Sequence, residues 1–278
     1  MIQRFKLLAL LVLTTATFGC SKEKRITELE PYLKSRCAYV HEINGFYIVA
    51  TDQKPNDGVS TSGTTAKEIF EHSVRLFSNF LDQDEDGILD SDKVVLSNGL
   101  AQHMLFVSGH LRMVNKISEA QALQNKGLYA MSMQTNKWPY VKDFDGTLTI
   151  DKLSSSTWRP ENANALWEET FHTITEAYSR FDSEFSFNEG GVLRTFMEAD
   201  IAAGTYDISV QNKEENGNYD KVTAVNEYIY QIWAIKYAGQ EDKLNTHQQG
   251  ALDFMISKGV PMKLNPNYDK MLGNRIKG

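Results

Sequence analysis

The sequence predicts an α+β fold, mainly helical with a small antiparallel sheet. Apolar residues recur at helical spacing through much of the chain, the aromatic and β-branched runs are short and few, and those runs precede most of the helices. Thr27–Lys34 reads as a short helix and Phe46-Tyr47-Ile48-Val49-Ala50-Thr51 as a strand. Lys54–Ser62, rich in Gly, Pro, Asn, Asp and Ser, is a loop. Thr64 or Thr65 can cap a helix from Ala66 to about Leu81, where Ile69, Val74, Phe77 and Leu81 keep helical spacing. A further helix begins across Lys93–Leu100. Met104–Val107 is a strand and Ser118–Lys126 a short helix. Leu128–Gln134 and Thr147–Leu153 are strands, separated by turns at Asn136–Pro139 and Asp143–Gly146. Asn162 opens a helix to about Arg180, and Leu193–Ala203 is another, closed by Gly204 as C-cap. After a polar connector, Asn212–Asp220, an apolar and aromatic helix runs from Val222 to Tyr237 and ends at Gly239. His247–Lys258 is the last helix, followed by a loose tail containing Pro261 and Pro266. No internal repeat is present.

The start of the chain reads as a signal peptide, residues 1–19. Arg4 and Lys6 supply the positive end, Leu7–Leu13 the apolar run, and the run is too short to span a bilayer. Thr17-Phe18-Gly19-Cys20 resembles a lipobox with loose first positions, so Cys20 is expected to carry lipid; plain secretion is the simpler alternative. A tether and lead-in over 20–45, one α+β domain over 46–260 and a tail over 261–278 complete the expected organisation. The domain then sits outside the cytoplasm, lipid-anchored in the cell envelope, with the outer membrane as first expectation. Cys37 is the one cysteine left, so no disulfide staples the domain and the fold rests on its apolar core. Roughly 250 mature residues at 41% hydrophobic content suffice for that core. A net charge of −7 without a basic stripe argues against nucleic acid as partner and suits a surface that holds cations.

Asp82-Gln83-Asp84-Glu85-Asp86-Gly87-Ile88-Leu89-Asp90-Ser91-Asp92-Lys93 has the spacing of an EF-hand-like calcium loop. Asp82, Asp84 and Asp86 offer oxygens at positions 1, 3 and 5, Gly87 allows the sharp turn at 6, Ile88 offers its carbonyl and Asp90 stands at 9. Lys93 replaces the usual closing Glu, which leaves closure to Asp92, to water or to a remote residue. The competing reading is a solvated acidic turn, but six carboxylates in eleven residues repel one another without a cation.

Trp167-Glu168-Glu169-Thr170-Phe171-His172-Thr173-Ile174-Thr175-Glu176 carries the second candidate. On a helix Glu168, His172 and Glu176 lie on one side with Glu169 beside them, among apolar neighbours that imply burial. Buried carboxylates need partners, and a metal ion is the strongest. Glu168 to His172 has the spacing of the zincin His-Glu-x-x-His motif with Glu in place of the first His. Transferred from it, Glu168 and His172 are metal ligands, zinc or another transition metal, and Glu169 is the base. Glu227, 55 residues beyond His172 on a later helix, is the third ligand by the gluzincin arrangement, and Glu176 is adjacent. A buried Glu–His hydrogen-bonded network and a solvent-facing coincidence are the alternatives. A di-iron bundle would need a second Glu-x-x-His, which the chain lacks.

Three stretches together resemble a family of exported proteins from bacteria and aquatic eukaryotes that has no assigned activity. They are Val49-Ala50-Thr51-Asp52 with the Leu81–Asp90 loop, the Glu168-Glu169-x-x-His172-x-Ile174-Thr175 helix and the Glu227-Tyr228-Ile229-Tyr230 helix start, over roughly Phe46 to Gly239. The resemblance makes Glu-Glu-x-x-His that family's own pattern. The last stretch is also similar to the late Glu-Tyr/Phe helix of anthrax-lethal-factor-like gluzincins, which implies a zincin-like fold. The expectation is a surface-anchored calcium-binding lipoprotein with a zincin-like metal site, acting as a metal-dependent peptidase or hydrolase on a peptide or protein partner. The alternative is a non-enzymatic, calcium-stabilised binding or adhesion module. No Ser–His–Asp grouping, Gly-rich phosphate loop or Cys-x-x-Cys points to other chemistry.

Overall fold

The computed structural model describes residues 30–35, 37–50, 66–94, 96, 104–108, 129–132, 165–211, 213, 217–265 and 267–278. Strands β1 (Tyr39–Ile43) and β2 (Phe46–Ala50) form an antiparallel hairpin. Asn44 and Gly45 turn it with φ of 49° and 84°. Two successive positive φ values define the tight hairpin turn that Asn-Gly adopts at least steric cost. Phe46, Ile48 and Ala50 enter the main core, while Tyr47 and Val49 pack with Leu33, Cys37 and Val40 on the other face. This two-sided burial explains why β2 is a continuous apolar run.

Helix α1 (Ala66–Leu81) has the expected bounds and connects β2 to β3 (Met104–Ser108). A helical crossover returns the chain in the same direction, so β2 and β3 pair in parallel, and β4 (Tyr129–Ser132) pairs in parallel with β3. Strand β5 (Asn274–Lys277) adds antiparallel to β1, giving the order β4-β3-β2-β1-β5. The fold is thus mainly helical α+β, and β5, β1 and β2 form the small antiparallel sheet expected, which the parallel strands β3 and β4 extend into a mixed one.

Among the described residues four α-helices follow: α2 (Ala165–Phe181), α3 (Val192–Ala203), α4 (Lys221–Tyr237) and α5 (Thr246–Ser257). Of the caps at their ends, that of Gly204 was expected from the sequence and those of Asp220 and Asn245 were not. Gly204 ends α3 at φ 74°, Asp220 accepts from the Val222 and Thr223 amides at the start of α4, and Asn245 with Gln248 forms a capping box on α5. Helix α4 packs against α2, α3 and α5, and α1 packs against α2 and the sheet. Phe171 of α2 and Trp233 of α4 meet at 5.0 Å between ring centroids, both fully buried. Burial of one such Phe is worth about 1.5–3 kcal/mol relative to exposure.

The segments expected as lead-in and loose tail take part in the domain. Residues 30–35 are helical and Tyr39–Ile43 is strand β1, at the interior of the sheet. The tail is held by long-range bonds: Trp233 Nε1 donates to the Pro261 carbonyl at 2.8 Å and the Leu272 amide donates to Ser78 Oγ at 2.9 Å. His41 Nε2 lies 2.6 Å from the Leu272 carbonyl, next to where β5 joins β1. The helix expected from Lys93 is preceded by a 3-10 turn, Ser91–Lys93. The signal peptide, Cys20, Thr64 and Thr65, the Lys54–Ser62 loop, the Ser118–Lys126 helix, the Thr147–Leu153 strand and the turns before it lie outside the described residues. Among the described residues no helix is long and apolar enough to cross a membrane.

Candidate metal centre

Helix α2 puts Glu168 and His172 one turn apart, and α4, packed alongside, brings Glu227 to them. One ligand atom from each of Glu168, His172 and Glu227 lies within 4.8 Å of the others. Around a tetrahedral zinc with bonds of about 2.0–2.1 Å, ligand atoms stand roughly 3.3 Å apart, so small rotamer adjustments would close the site. His172 is 6% exposed, and its Nε2 has no hydrogen-bond partner among the described residues. Glu168 and Glu227 are half-buried. Two carboxylates and one imidazole suit zinc or a similar transition metal.

The surroundings set the charge states. Burial lowers the pKa of His172, opposed by Glu227, and so favours the neutral imidazole that a metal requires. Glu169 has its side chain 34% exposed and its Oε2 4.0 Å from His172 Nδ1. Burial of its carboxyl, then Glu227 and Glu176, push its pKa up to about 7. Tyr230 stands edge-on to the His172 ring at 5.5 Å; burial and then Glu168, Glu227 and Glu169 hold its hydroxyl well above the usual range. Glu176 is not part of the three-residue cluster. Its Oε2 lies 3.6 Å from Arg180 Nη2, one turn further along α2.

The acidic loop is a second, separate cluster. Asp82, Asp84 and Asp86 bring carboxylate oxygens within 4.8 Å of one another. Asp82 is fully buried and accepts from the Asp86 amide at 3.1 Å, the Gly87 amide at 3.0 Å and the Tyr268 hydroxyl at 2.6 Å. Gly87, at φ 87°, supplies the turn its position demands. Asp86 accepts from the Ile88 amide at 2.7 Å, and the Ile88 side chain is 67% exposed. Asp90 and Asp92 stand outside the three-aspartate group. Asp90 accepts from the Gln83 amide at 2.8 Å, and burial followed by Asp84, Asp92 and Asp82 outweighs that bond and raises its pKa. Asp92 pairs with Lys93 at 2.9 Å. Lys93 Nζ also donates to the Gly259 carbonyl at 2.8 Å, so this residue links the loop to the end of α5.

Sequence reasoning missed the residues that support both clusters. Tyr268 has no local pattern to mark it. Asp200 did carry a signal, since it continues the buried stripe of Leu193 and Met197 along α3. The polar pair Thr175 and Asn226, which joins α2 to α4, sat in plain view inside two apolar helices. Comparison of the chain with protein-family models, with curated proteins and with solved structures gives no match.

Proposed function

We propose that this chain is an envelope lipoprotein whose domain binds a transition-metal ion, zinc foremost, through Glu168, His172 and Glu227. The observation that carries the reading is their convergence from two packed helices, one member being a buried imidazole whose Nε2 has no partner among the described residues. Such a group of two carboxylates and a neutral histidine is poorly balanced without a cation. The Glu-Glu-x-x-His helix and a third ligand from a later helix support a zincin-like arrangement. Zinc held there would supply a Lewis acid for hydrolysis of a peptide or protein partner. Glu169, beside His172, would take the proton from the attacking water. The acidic loop is proposed as an EF-hand-like calcium site that stabilises the same domain.

Elemental analysis of metal-stripped and reloaded protein tests this. About one equivalent of zinc is expected, lost in Glu227→Ala, together with peptide hydrolysis that Glu169→Gln abolishes at unchanged metal content. Absence of zinc under every loading condition would leave a Glu–His network and end the enzyme reading. One observation favours a second reading, the non-enzymatic calcium-stabilised module: carboxylates outnumber imidazoles two to one, so the ligands would acidify bound water less. Zinc binding without hydrolysis of any peptide is its expected result. For the anchor, Cys20→Ala should release the protein in soluble form, whereas unchanged membrane fractionation would contradict lipidation.

A further inference from the structure

Glu227 belongs to a helix that apolar burial alone does not orient. Ile229, Tyr230, Ala234 and Ile235 lie on different sides of α4 and all are buried. Several rotations of α4 about its axis would therefore bury similar apolar area. Buried hydrogen bonds remove that freedom: Trp233 holds the Pro261 carbonyl further along α4, and at the site itself two more come from the residues immediately before and after Glu227. The Thr175 hydroxyl donates to Asn226 Oδ1 at 2.9 Å, which ties α4 to α2 three residues beyond His172. The Tyr228 hydroxyl donates to Asp200 Oδ2 at 2.8 Å, which ties α4 to α3.

Successive helix residues point roughly 100° apart, so these two bonds leave α4 on either side of Glu227 and oppose rotation in both senses. Asp200 is itself fixed. It is fully buried, its Oδ1 accepts from Thr205 Oγ1 at 2.9 Å and Asn245 Nδ2 at 3.0 Å, and that oxygen stands 3.0 Å from His247 Nδ1. A buried polar pair adds little net stability over an apolar pair of the same shape, but it accepts only one relative placement of its two helices.

We infer that Asn226 and Tyr228 are positioning residues, which hold α4 at the rotation that brings Glu227 to Glu168 and His172. The inference rests on reading that cluster as a metal site, and the test keeps the two apart. Zinc affinity and metal-free melting temperature are measured on the mature full chain for Thr175→Val with Asn226→Leu, for Tyr228→Phe and for Thr175→Ser. The same set is repeated in a Glu168→His, Glu227→His background, which gathers three imidazoles at the same point. In both backgrounds the paired Val/Leu variant and Tyr228→Phe should lose about 10-fold or more in zinc affinity. The Val/Leu pair should melt close to its parent, and Thr175→Ser, which keeps the hydroxyl, should keep the affinity. If the native chain binds no zinc but the three-histidine variant does, and loses affinity in the same order, the metal reading fails while the positioning role stands. Affinities unchanged to within about twofold would overturn it, the ligand field being otherwise intact. Failure of the three-histidine variant to bind zinc would overturn it too, because the three positions would then not meet.

Discussion

The acidic loop delivers Asp82, Asp84 and Asp86 from five consecutive residues, whereas the helical cluster assembles Glu168 and His172 from one helix and Glu227, 55 residues beyond His172, from another. In the loop, backbone amides of Asp86, Gly87 and Ile88 shape the carboxylates, and Asp84 and Asp86 stand exposed. In the cluster no local backbone turn sets the geometry. It is a product of how α2 packs on α4, around Phe171 and Trp233. An ion bound in the loop would therefore have little packing to wait for, while one bound in the cluster would report on tertiary structure. The loop's one buried member, Asp82, is the exception, since Tyr268 reaches it from the far end of the chain.

That contrast can be broken or sharpened by substitution. The largest effect is expected at the cluster: His172→Ala or Glu227→Ala should remove zinc binding, by more than the roughly 10–100-fold that outer-shell changes produce. Calcium-dependent stabilisation should persist in both variants; its loss, seen in melting curves with and without calcium, would show that the two sites are one system. Next in size is the loop itself. Millimolar calcium should raise the melting temperature, the added stability being about 2.7 kcal/mol at a hundredfold excess over Kd, and Asp84→Ala or Asp86→Ala should reduce the rise. Identical melts with calcium and with chelator would count against a calcium loop. Smaller still, Tyr268→Phe removes one donor from a buried carboxylate and should destabilise the metal-free protein by about 1–3 kcal/mol, measured by urea denaturation. An unchanged midpoint would mean that the tail does not brace the loop.

The same division governs what was legible in the sequence. Helix α1 could be read because Val74, Phe77 and Leu81 repeat at its own period, and the loop because its oxygens repeat at a fixed local spacing. Glu168 and His172 share one turn of helix and were legible for the same reason. Glu227 was reached only through the gluzincin arrangement, which takes its third ligand from a later helix, since no local spacing ties it to His172. The β1–β2 hairpin was missed despite its Asn44-Gly45 turn, because the polar His41 and Glu42 interrupt the strand pattern. The order of the tail was illegible for a physical reason: Leu272, Asn265 and Tyr268 are fixed by Ser78, Asn79 and Asp82, more than 180 positions earlier. The parallel half of the sheet likewise depends on where a crossover lands, which no strand's own residues encode.

The most direct test is anomalous diffraction at the zinc edge from crystals of the metal-loaded protein. The account predicts one strong peak with Glu168, His172 and Glu227 at about 2.0–2.2 Å, and no zinc at Asp82, Asp84 and Asp86. A zinc ion bound elsewhere, or density with Glu227 turned away from His172, would contradict it.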